Sequence, residues 1–174
     1  TFVNDRPVER ELLKSGDLVK VGDIIFKFLA GHNVEAAYHE EIYRMTIVDG
    51  LTQIHNKRYL YEELEREITR ARRHDRPLAL LLFDIDFFKR INDHYGHLAG
   101  DYVLRELADA VKLRIRRDEV FARYGGEEFV IIMPQTELES AATFCERLRS
   151  AVERNSMVDL KITVSGGVAA AHDG

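Results

Sequence analysis

The sequence predicts an α/β fold, in which helices cover an antiparallel or mixed sheet, and three observations carry the prediction. From residue 49 onward, helix and strand patterns interleave in the order helix, strand, helix, hairpin, helix, strand. The segment LALLLFDID, residues 78–86, is a continuous apolar run, which is typical of a strand covered on both faces. A hairpin follows later in the chain, and this order fits a ferredoxin-like, palm-type sheet.

Before residue 49 the chain carries a small β fragment and a linker helix. Residues 1–30 alternate short apolar runs with turn formers, which predicts hairpins too few to form a stable domain alone. Within the linker, residues 31–48, the pattern changes at Asn33 to helical spacing in NVEAAYHEEIYRMTIV. The apolar stripe of this helix packs either on its own domain or on the same helix of a second subunit, and both interpretations stay open.

The elements after residue 49 can be read in order from their patterns. A helix is predicted over residues 57–74, closed by Pro77, and the apolar strand follows it. The remaining segments are GDYVLRELADAVKLRIRR as a helix, EVFARY and FVIIMP as a hairpin, ELESAATFCERLRSAVERN as a helix and LKITVSGGVAA as a strand.

Composition excludes several classes of function. The 174 residues carry 30 acidic and 25 basic side chains mixed along the chain, with a formal net charge of -5. This balance argues against bulk binding of nucleic acid or of an anionic membrane. The single cysteine, Cys145, cannot form an internal disulfide, and no stretch is apolar enough for a signal or membrane-spanning segment. We therefore expect a cytoplasmic protein without nucleic-acid or membrane partners.

Carboxylates end the apolar strand and also follow the later turn. Asp84 and Asp86 lie at the end of the strand, and Glu127 and Glu128 follow two glycines in RYGGEEF. Each feature alone has a structural explanation, because strand-end aspartates cap helices and Gly-Gly suits a hairpin turn. If the hairpin strands flank the apolar strand, both acidic groups converge at one end of the sheet.

Such a convergence predicts a metal and phosphate site. Clustered carboxylates without cysteine favour Mg²⁺, with Mn²⁺ as an alternative, over zinc. Magnesium held by few carboxylates keeps positions for phosphate oxygens, so a nucleoside triphosphate is the expected substrate. Gly125 and Gly126 lack a Cβ and would admit phosphates to the backbone, and Lys89 is a further phosphate partner. His94 and His97 lie in a predicted loop and are only weak evidence for a zinc site.

Three separated motifs resemble the signature segments of GGDEF domains, the diguanylate cyclases. They are DGLTQIHNKRYL, DIDFFKRINDHYGHLAGDYVL and RYGGEEF, and the resemblance runs from Asp49 to the end of the chain. It implies a palm-like fold and the condensation of two GTP into cyclic di-GMP with release of pyrophosphate. GGEEF stands where GGDEF is usual, and this variant keeps a carboxylate at the metal position.

The resemblance also implies a role for individual residues. It places Mg²⁺ on Asp84, the backbone carbonyl of Ile85 and Glu127, which chooses between Asp84 and Asp86 where the residues alone do not. Either Glu127 or Glu128 would remove the 3′-hydroxyl proton.

The remaining site residues follow from the same resemblance. Asn92 and Asp101 would read the guanine edge, and His97 would add a substrate contact. Lys89 would neutralise phosphate charge beside Gly125 and Gly126. Each domain of the family holds one GTP, so a homodimer is implied, and we expect the linker helix to set its geometry.

Two features depart from the family pattern. Product inhibition in the family uses Arg-x-x-Asp, whereas this chain has Arg116 and Glu119, so an exposed helix end is the competing interpretation. Family members also continue past TVSGGVA into a helix and strand with phosphate-binding basic residues. We therefore expect a longer natural protein, and this truncated chain to be inactive if it depends on the missing part. A non-catalytic GTP or cyclic di-GMP receptor is the alternative function.

The N-terminal segment TFVNDRPVERELLKSGDLVKVGDIIFKF resembles the closing strands of a forkhead-associated (FHA) domain, which reads phosphothreonine. Asn4 matches the loop asparagine that binds the peptide backbone. The implied organisation is an incomplete FHA-like sandwich at 1–30, a linker or signalling helix at 31–48 and a GGDEF domain at 49–174. It implies a cyclase gated by a phosphothreonine peptide, or an adaptor in which the C-terminal domain serves assembly.

Overall fold

The computed structural model describes residues 1–8, 10–22, 24–28, 42–154 and 160–171. The chain divides into two compact units, Thr1–Thr46 and Ile47–Gly174. Most of the predicted linker helix lies outside the described residues. Residues 42–47 of it are helical, whereas Val48 pairs with His55 in an isolated β-bridge.

The first unit contains a four-stranded antiparallel sheet in the order β2-β1-β3-β4. The strands are β1 (Phe2–Val3), β2 (Arg6–Pro7), β3 (Leu18–Val21) and β4 (Ile24–Lys27). Val3 is buried, whereas the apolar side chains of β4 are exposed. This exposure fits the prediction that these strands are too few to build a core of their own.

The second unit contains a five-stranded mixed sheet in the order β5-β7-β8-β6-β9. Its strands are β5 (His55–Asn56), β6 (Leu78–Ile85), β7 (Val120–Gly125), β8 (Glu128–Pro134) and β9 (Val164–Ala171). Its helices are α1 (Lys57–His74), α2 (Phe88–Tyr95), α3 (His97–Lys112) and α4 (Leu138–Arg154). Only β5 and β7 pair in parallel among these strands. The α/β fold with a helix-covered mixed sheet is therefore confirmed.

Sequence patterns missed the helix α2. His94 and His97 were expected to lie in a loop around Gly96, but Phe88–Tyr95 is helical and His97 begins α3. Phe87 precedes α2 with a φ of 56°, a left-handed conformation that turns the chain sharply out of β6. His94 and His97 therefore lie on helices and not in a loop.

The central strand β6 is covered unequally on its two faces. Ala79, Leu81, Phe83 and Ile85 are buried in a large core shared with α3 and α4. On the opposite face Leu78 is buried in a smaller cluster with α1, whereas Leu82 is 43% exposed. The expectation of cover on both faces is thus wrong for the C-terminal half of β6, since an apolar run alone does not reveal where a covering helix stops.

The ends of α1 follow from local chemistry. Asn56 is its N-cap, and the Asn56 side chain accepts a hydrogen bond from the Tyr59 amide at 3.1 Å. Asp75 ends the helix in the left-handed conformation, two residues before Pro77. In the part of the chain that the structure describes, no helix is both long and apolar enough to cross a bilayer.

Candidate functional site

Strand register brings the acidic end of β6 beside the glycine turn. Asp84 lies opposite Glu128 of β8 on one side and opposite Ser165 of β9 on the other. Residues directly opposite in an antiparallel pair project from the same face, so the Asp84 and Glu128 side chains leave the sheet together. The structure thus places the two acidic segments at one end of the sheet, as the sequence led us to expect.

The two aspartates at the end of β6 have different surroundings. Asp86 accepts hydrogen bonds from the Thr163 hydroxyl at 2.5 Å and the Ser165 hydroxyl at 2.6 Å. Its backbone N–H also donates to the Thr163 carbonyl at 3.0 Å. The exposed Asp84 carboxylate, in contrast, has no hydrogen bond or ion pair to another described residue. Asp86 therefore ties β6 to the start of β9, and Asp84 is available to a ligand.

The turn between β7 and β8 is built around Gly126. Its φ is 45°, a conformation that glycine adopts without a Cβ clash, and a bulge separates Arg123 from Gly125 in the pairing with β8. A Cβ on Gly126 would meet nothing within 4 Å, so space beside this residue is open. The Glu128 carboxylate lies near Gly125, because a Cβ there would be 4.0 Å from Glu128 Oε2. Glu127 is half-buried in the turn itself.

Oxygen donors at this end of the sheet suit a hard divalent cation. Two carboxylates, Asp84 and Glu127, and the carbonyl of Ile85 lie at the end of β6 and in the adjacent turn. Among the described residues, no group of three or more His, Cys, Asp or Glu side chains could hold a metal ion. A cation here would need further oxygens from a ligand, and Mg²⁺ is commonly bound in that way with phosphates.

Asn92 and Asp101 lie on the neighbouring helices α2 and α3, and both are half-buried. Gly100 lets α3 approach Asn92 closely, because a Cβ at this position would lie 2.0 Å from Asn92 Oδ1. Lys89 is exposed in the first turn of α2, and His97 is exposed at the start of α3. Sequence reasoning missed Gly100, whose only signal is its place next to Asp101.

A lysine and two tyrosines border the turn on the α1 side. The Lys57 ammonium lies 3.8 Å from the centre of the Tyr124 ring, and the hydroxyls of Tyr61 and Tyr124 are 3.1 Å apart. The hydrogen bond with Tyr61, followed by that with Lys57, lowers the pKa of Tyr124. This cluster gives the face around Glu128 a nearby positive charge that the sequence motifs did not reveal.

The predicted inhibitory residues line a separate cavity of about 860 Å³. The Arg116 amide donates to Glu119 Oε2 at 2.6 Å, so this carboxylate is turned back toward its own loop. The lining includes four arginines, which are Arg114, Arg116, Arg147 and Arg154. The contribution of α4 was missed, although Arg147 and Arg154 are seven residues apart in sequence and so share one helix face.

The exposed Asn4 side chain makes its hydrogen bonds within the first unit. Its Nδ2 donates to Asp17 Oδ1 at 2.9 Å, and its Oδ1 accepts from the Leu18 amide at 3.0 Å. The Lys14 amide and the Asn4 side chain lower the pKa of Asp17, in that order. Asn4 thus joins the turn after β1 to the start of β3, and contact with a peptide backbone stays a prediction.

Comparison with known proteins identifies the second unit. The family model described as diguanylate cyclase, GGDEF domain, matches residues 46–174. The chain is 42% identical over 141 residues to diguanylate cyclase DgcP of Pseudomonas aeruginosa, and this alignment covers 77% of this chain and 21% of that protein. It is 42% identical over 132 residues to the response regulator PleD of Caulobacter vibrioides, and this alignment covers 72% of this chain and 29% of PleD. The chain therefore spans less than a third of the length of either relative.

Solved structures agree with this match. The coiled coil and GGDEF domain of DgcB from Caulobacter crescentus, in complex with c-di-GMP, aligns with a TM-score of 0.73 and 32% identity. The alignment covers 79% of this chain and 75% of that one. The active GGEEF domain of a diguanylate cyclase from Vibrio cholerae aligns with a TM-score of 0.65 and 34% identity, over 68% and 77% of the two chains. The chain belongs to the GGDEF-domain family of diguanylate cyclases.

Proposed function

We propose that residues 49–174 act as a diguanylate cyclase that converts two GTP into cyclic di-GMP and two pyrophosphates. The observation that carries this proposal is the Asp84 carboxylate, which has no partner among the described residues and lies opposite Glu128 beside the glycine turn. In each of two steps a 3′-hydroxyl oxygen attacks the α-phosphorus of the other nucleotide. The bond to the β-phosphate oxygen breaks, pyrophosphate leaves with the electron pair, and the hydroxyl proton goes to a base.

The donors at this site fit Mg²⁺, with Mn²⁺ as an alternative. Asp84, the Ile85 carbonyl and Glu127 would hold the ion, because hard cations prefer oxygen ligands. When bound, it would polarise the phosphate oxygens and offset their charge. Lys89 would add positive charge for the phosphates.

Residues of the glycine turn and of helices α2 and α3 would have the remaining roles in binding and catalysis. The open space beside Gly126 would let a phosphate approach the backbone. Glu127 is the proposed base, since it lies in the turn itself, and Glu128 is the second candidate. General-base help is worth roughly 10²- to 10⁴-fold. Asn92 and Asp101 would hydrogen-bond the guanine edge, and His97 would add a contact beside them.

The proposal extends to the subunits and to the N-terminal unit. One domain holds one GTP, so a homodimer in the cytoplasm is needed for the reaction, and the helix over 31–48 would set its geometry. Residues 1–30 would belong to an FHA-like domain that reads a phosphothreonine peptide and gates the cyclase. The support for this part is the sequence resemblance of residues 1–28 to the closing strands of an FHA domain, and Arg116 and Glu119 would bind product as an inhibitory site.

A direct assay of the full-length protein tests the proposal. Incubation with GTP and Mg²⁺ should yield cyclic di-GMP and pyrophosphate, and Glu127→Ala should lower turnover at least about 100-fold. Glu65→Ala removes an exposed carboxylate of α1 and should leave turnover unchanged. ATP should react poorly, because the exposed edge of adenine does not match the acceptors of Asp101.

The alternative function is a receptor that binds GTP or cyclic di-GMP without turnover. The arginine-lined cavity favours it as a second candidate, because anionic ligands bind such clusters. A dimeric full-length protein that binds GTP and Mg²⁺ but forms no cyclic dinucleotide would refute the cyclase and support the receptor. Comparable turnover of ATP would instead refute the guanine roles of Asn92 and Asp101.

A further inference from the structure

Arg123 connects the glycine turn to a loop 74 residues earlier in the chain. Its Nε and Nη2 donate to the Gly126 carbonyl at 3.0 and 2.7 Å. Its Nη1 donates to Asp49 Oδ1 at 3.2 Å. One guanidinium therefore spans the carbonyl that precedes Glu127 and a carboxylate of the DGLT segment.

Asp49 is itself held firmly. Its Oδ1 accepts hydrogen bonds from the Thr52 amide at 2.9 Å and the Thr52 hydroxyl at 2.7 Å. Its backbone N–H donates to the Ile54 carbonyl at 2.8 Å, and its carbonyl accepts from the Gln53 amide at 2.9 Å. These bonds fix the Asp49 carboxylate before Arg123 reaches it, so Asp49 acts as an anchor.

The pair is sheltered from water. The Arg123 and Asp49 side chains are 16% and 24% exposed, whereas every other ion pair of the described residues has one side chain that is at least 54% exposed. Burial alone would raise the pKa of Asp49, but hydrogen bonds from Thr52 and the charge of Arg123 outweigh it and lower this pKa. Sheltered pairs lose less to solvent screening, so the link is stronger than a surface pair.

The Gly126 carbonyl is a sensitive place for such a link. Gly126 has a φ of 45° and follows a bulge, so β-sheet pairing does not fix its peptide plane. That carbonyl belongs to the peptide bond that leads into Glu127. Because the guanidinium is planar and donates two hydrogen bonds to this one oxygen, it fixes the tilt of this peptide plane.

We propose that Arg123, anchored by Asp49, is a positioning residue that orients the Gly126–Glu127 peptide and so the Glu127 carboxylate. This inference rests on the proposed function of the same turn. Asp49 also lies two residues after the helical residues 42–47, so two peptide bonds and the hydrogen bonds of Arg123 connect the end of the linker helix to the turn.

The test uses the full-length protein and Arg123→Lys, which keeps the charge but cannot donate a planar pair of bonds. Small misplacement of a reacting group can cost up to about 10²-fold, so we expect kcat to fall ten- to a hundredfold, with KM changed less than threefold. The backbone amide chemical shifts of Gly126 and Glu127, measured by nuclear magnetic resonance, should change, whereas those of α1 should stay the same. Asp49→Asn should give a smaller fall in kcat, and the double variant should match Arg123→Lys alone.

Arg149→Lys is the matched control. Arg149 also bridges two acceptors, Glu146 and Glu153, but does so on the exposed surface of α4. This variant should retain wild-type kcat and wild-type amide chemical shifts in the turn.

Two outcomes would overturn the inference. One is Arg123→Lys with kcat within twofold of the wild type; the other is amide chemical shifts of Gly126 and Glu127 that do not change. A lower melting temperature with unchanged kcat per folded molecule would show a purely structural role. A wild type without turnover would refute the proposed function instead, and the comparison of amide chemical shifts would still decide whether Arg123 positions the turn.

Discussion

The two faces of the mixed sheet differ in how completely they are covered. One face, under α3 and α4, buries Leu81 and Phe83 in a core of apolar side chains. The other, under α1, changes along β6 from buried Leu78 to exposed Leu82 and Asp84. Since successive side chains of a strand point to opposite faces, β6 contributes residues both to the buried core and to the exposed face.

This difference separates the residues of β6 that stabilise the fold from those that can take part in chemistry. Side chains of the covered face contribute packing and hydrophobic burial, and a ligand cannot reach them. Those of the open end are accessible, and the Asp84 carboxylate there makes no hydrogen bond or ion pair with the described residues. Substitutions on alternate residues of β6 should therefore have different effects.

Asp84→Asn, compared with Asp86→Asn, gives the largest expected contrast. Loss of the proposed metal ligand at Asp84 should remove several kcal/mol of transition-state stabilisation, which is more than about a hundredfold in turnover. Its melting temperature should stay near that of the wild type, because no described residue loses a hydrogen bond. Turnover of GTP and thermal unfolding of the full-length protein are the two measurements.

Asp86→Asn should show the reverse pattern. An amide keeps one acceptor oxygen, so either Thr163 or Ser165 loses its hydrogen-bond acceptor, at a cost of about 1–3 kcal/mol of stability. If Asp86→Asn abolished turnover while Asp84→Asn retained it, the assignment of the metal ligand would be reversed.

Much of the fold was predictable, because it depends on local patterns. Helical spacing, one long apolar strand and the glycine turn gave the element order and the convergence of Asp84 with the turn. The short helix α2 was missed because FKRINDHY spans about two turns and ends at a glycine, so its pattern resembles a loop. The exposed end of β6 was missed because an apolar run does not show how far other elements cover it.

The parts of the site that patterns did not reveal depend on long-range contacts. Asp49 and Arg123 belong to separate motifs, and only the parallel pairing of β5 with β7 brings these segments together. Arg147 joins Arg116 through packing of α4, which no local signal indicates. Gly100 is explained only once α2 and α3 are adjacent.

Leu81→Ala and Leu82→Ala test the two faces directly with the same substitution on neighbouring residues. Leu81 is 0% exposed and Leu82 is 43% exposed. We expect Leu81→Ala to lower the free energy of unfolding by about 2–5 kcal/mol, because a buried cavity remains. Leu82→Ala should cost about 0.5 kcal/mol or less.

Urea unfolding followed by far-ultraviolet circular dichroism measures this pair of variants. Equal losses would show that the outer face of β6 is as well covered in solution as the inner face. That result would contradict the separation of stability from chemistry described above.

Substitution of His55, which lies on the α1 side of the sheet, gives the smallest expected effect on stability. This half-buried side chain stacks on Tyr59 at 4.0 Å, and its Nδ1 has no hydrogen-bond partner in the described parts of the chain. Burial lowers the pKa of His55, and a hydrogen bond with the backbone of Ile47 and the charge of Glu63 offset this only in part. The folded state therefore favours the neutral imidazole.

The sign of the pH dependence follows from this lowered pKa. Below about pH 6.5, the ordinary value for histidine, the unfolded chain binds a proton more readily than the folded one, so acidification destabilises the fold. The stability from His55 is complete above that pH and is lost as the pH falls toward the lowered pKa. His55→Gln should therefore reduce the fall in melting temperature between pH 7 and pH 5, by no more than about 2–4 °C. Identical pH profiles for the wild type and His55→Gln would show that this edge of the α1 face does not bury the imidazole in solution.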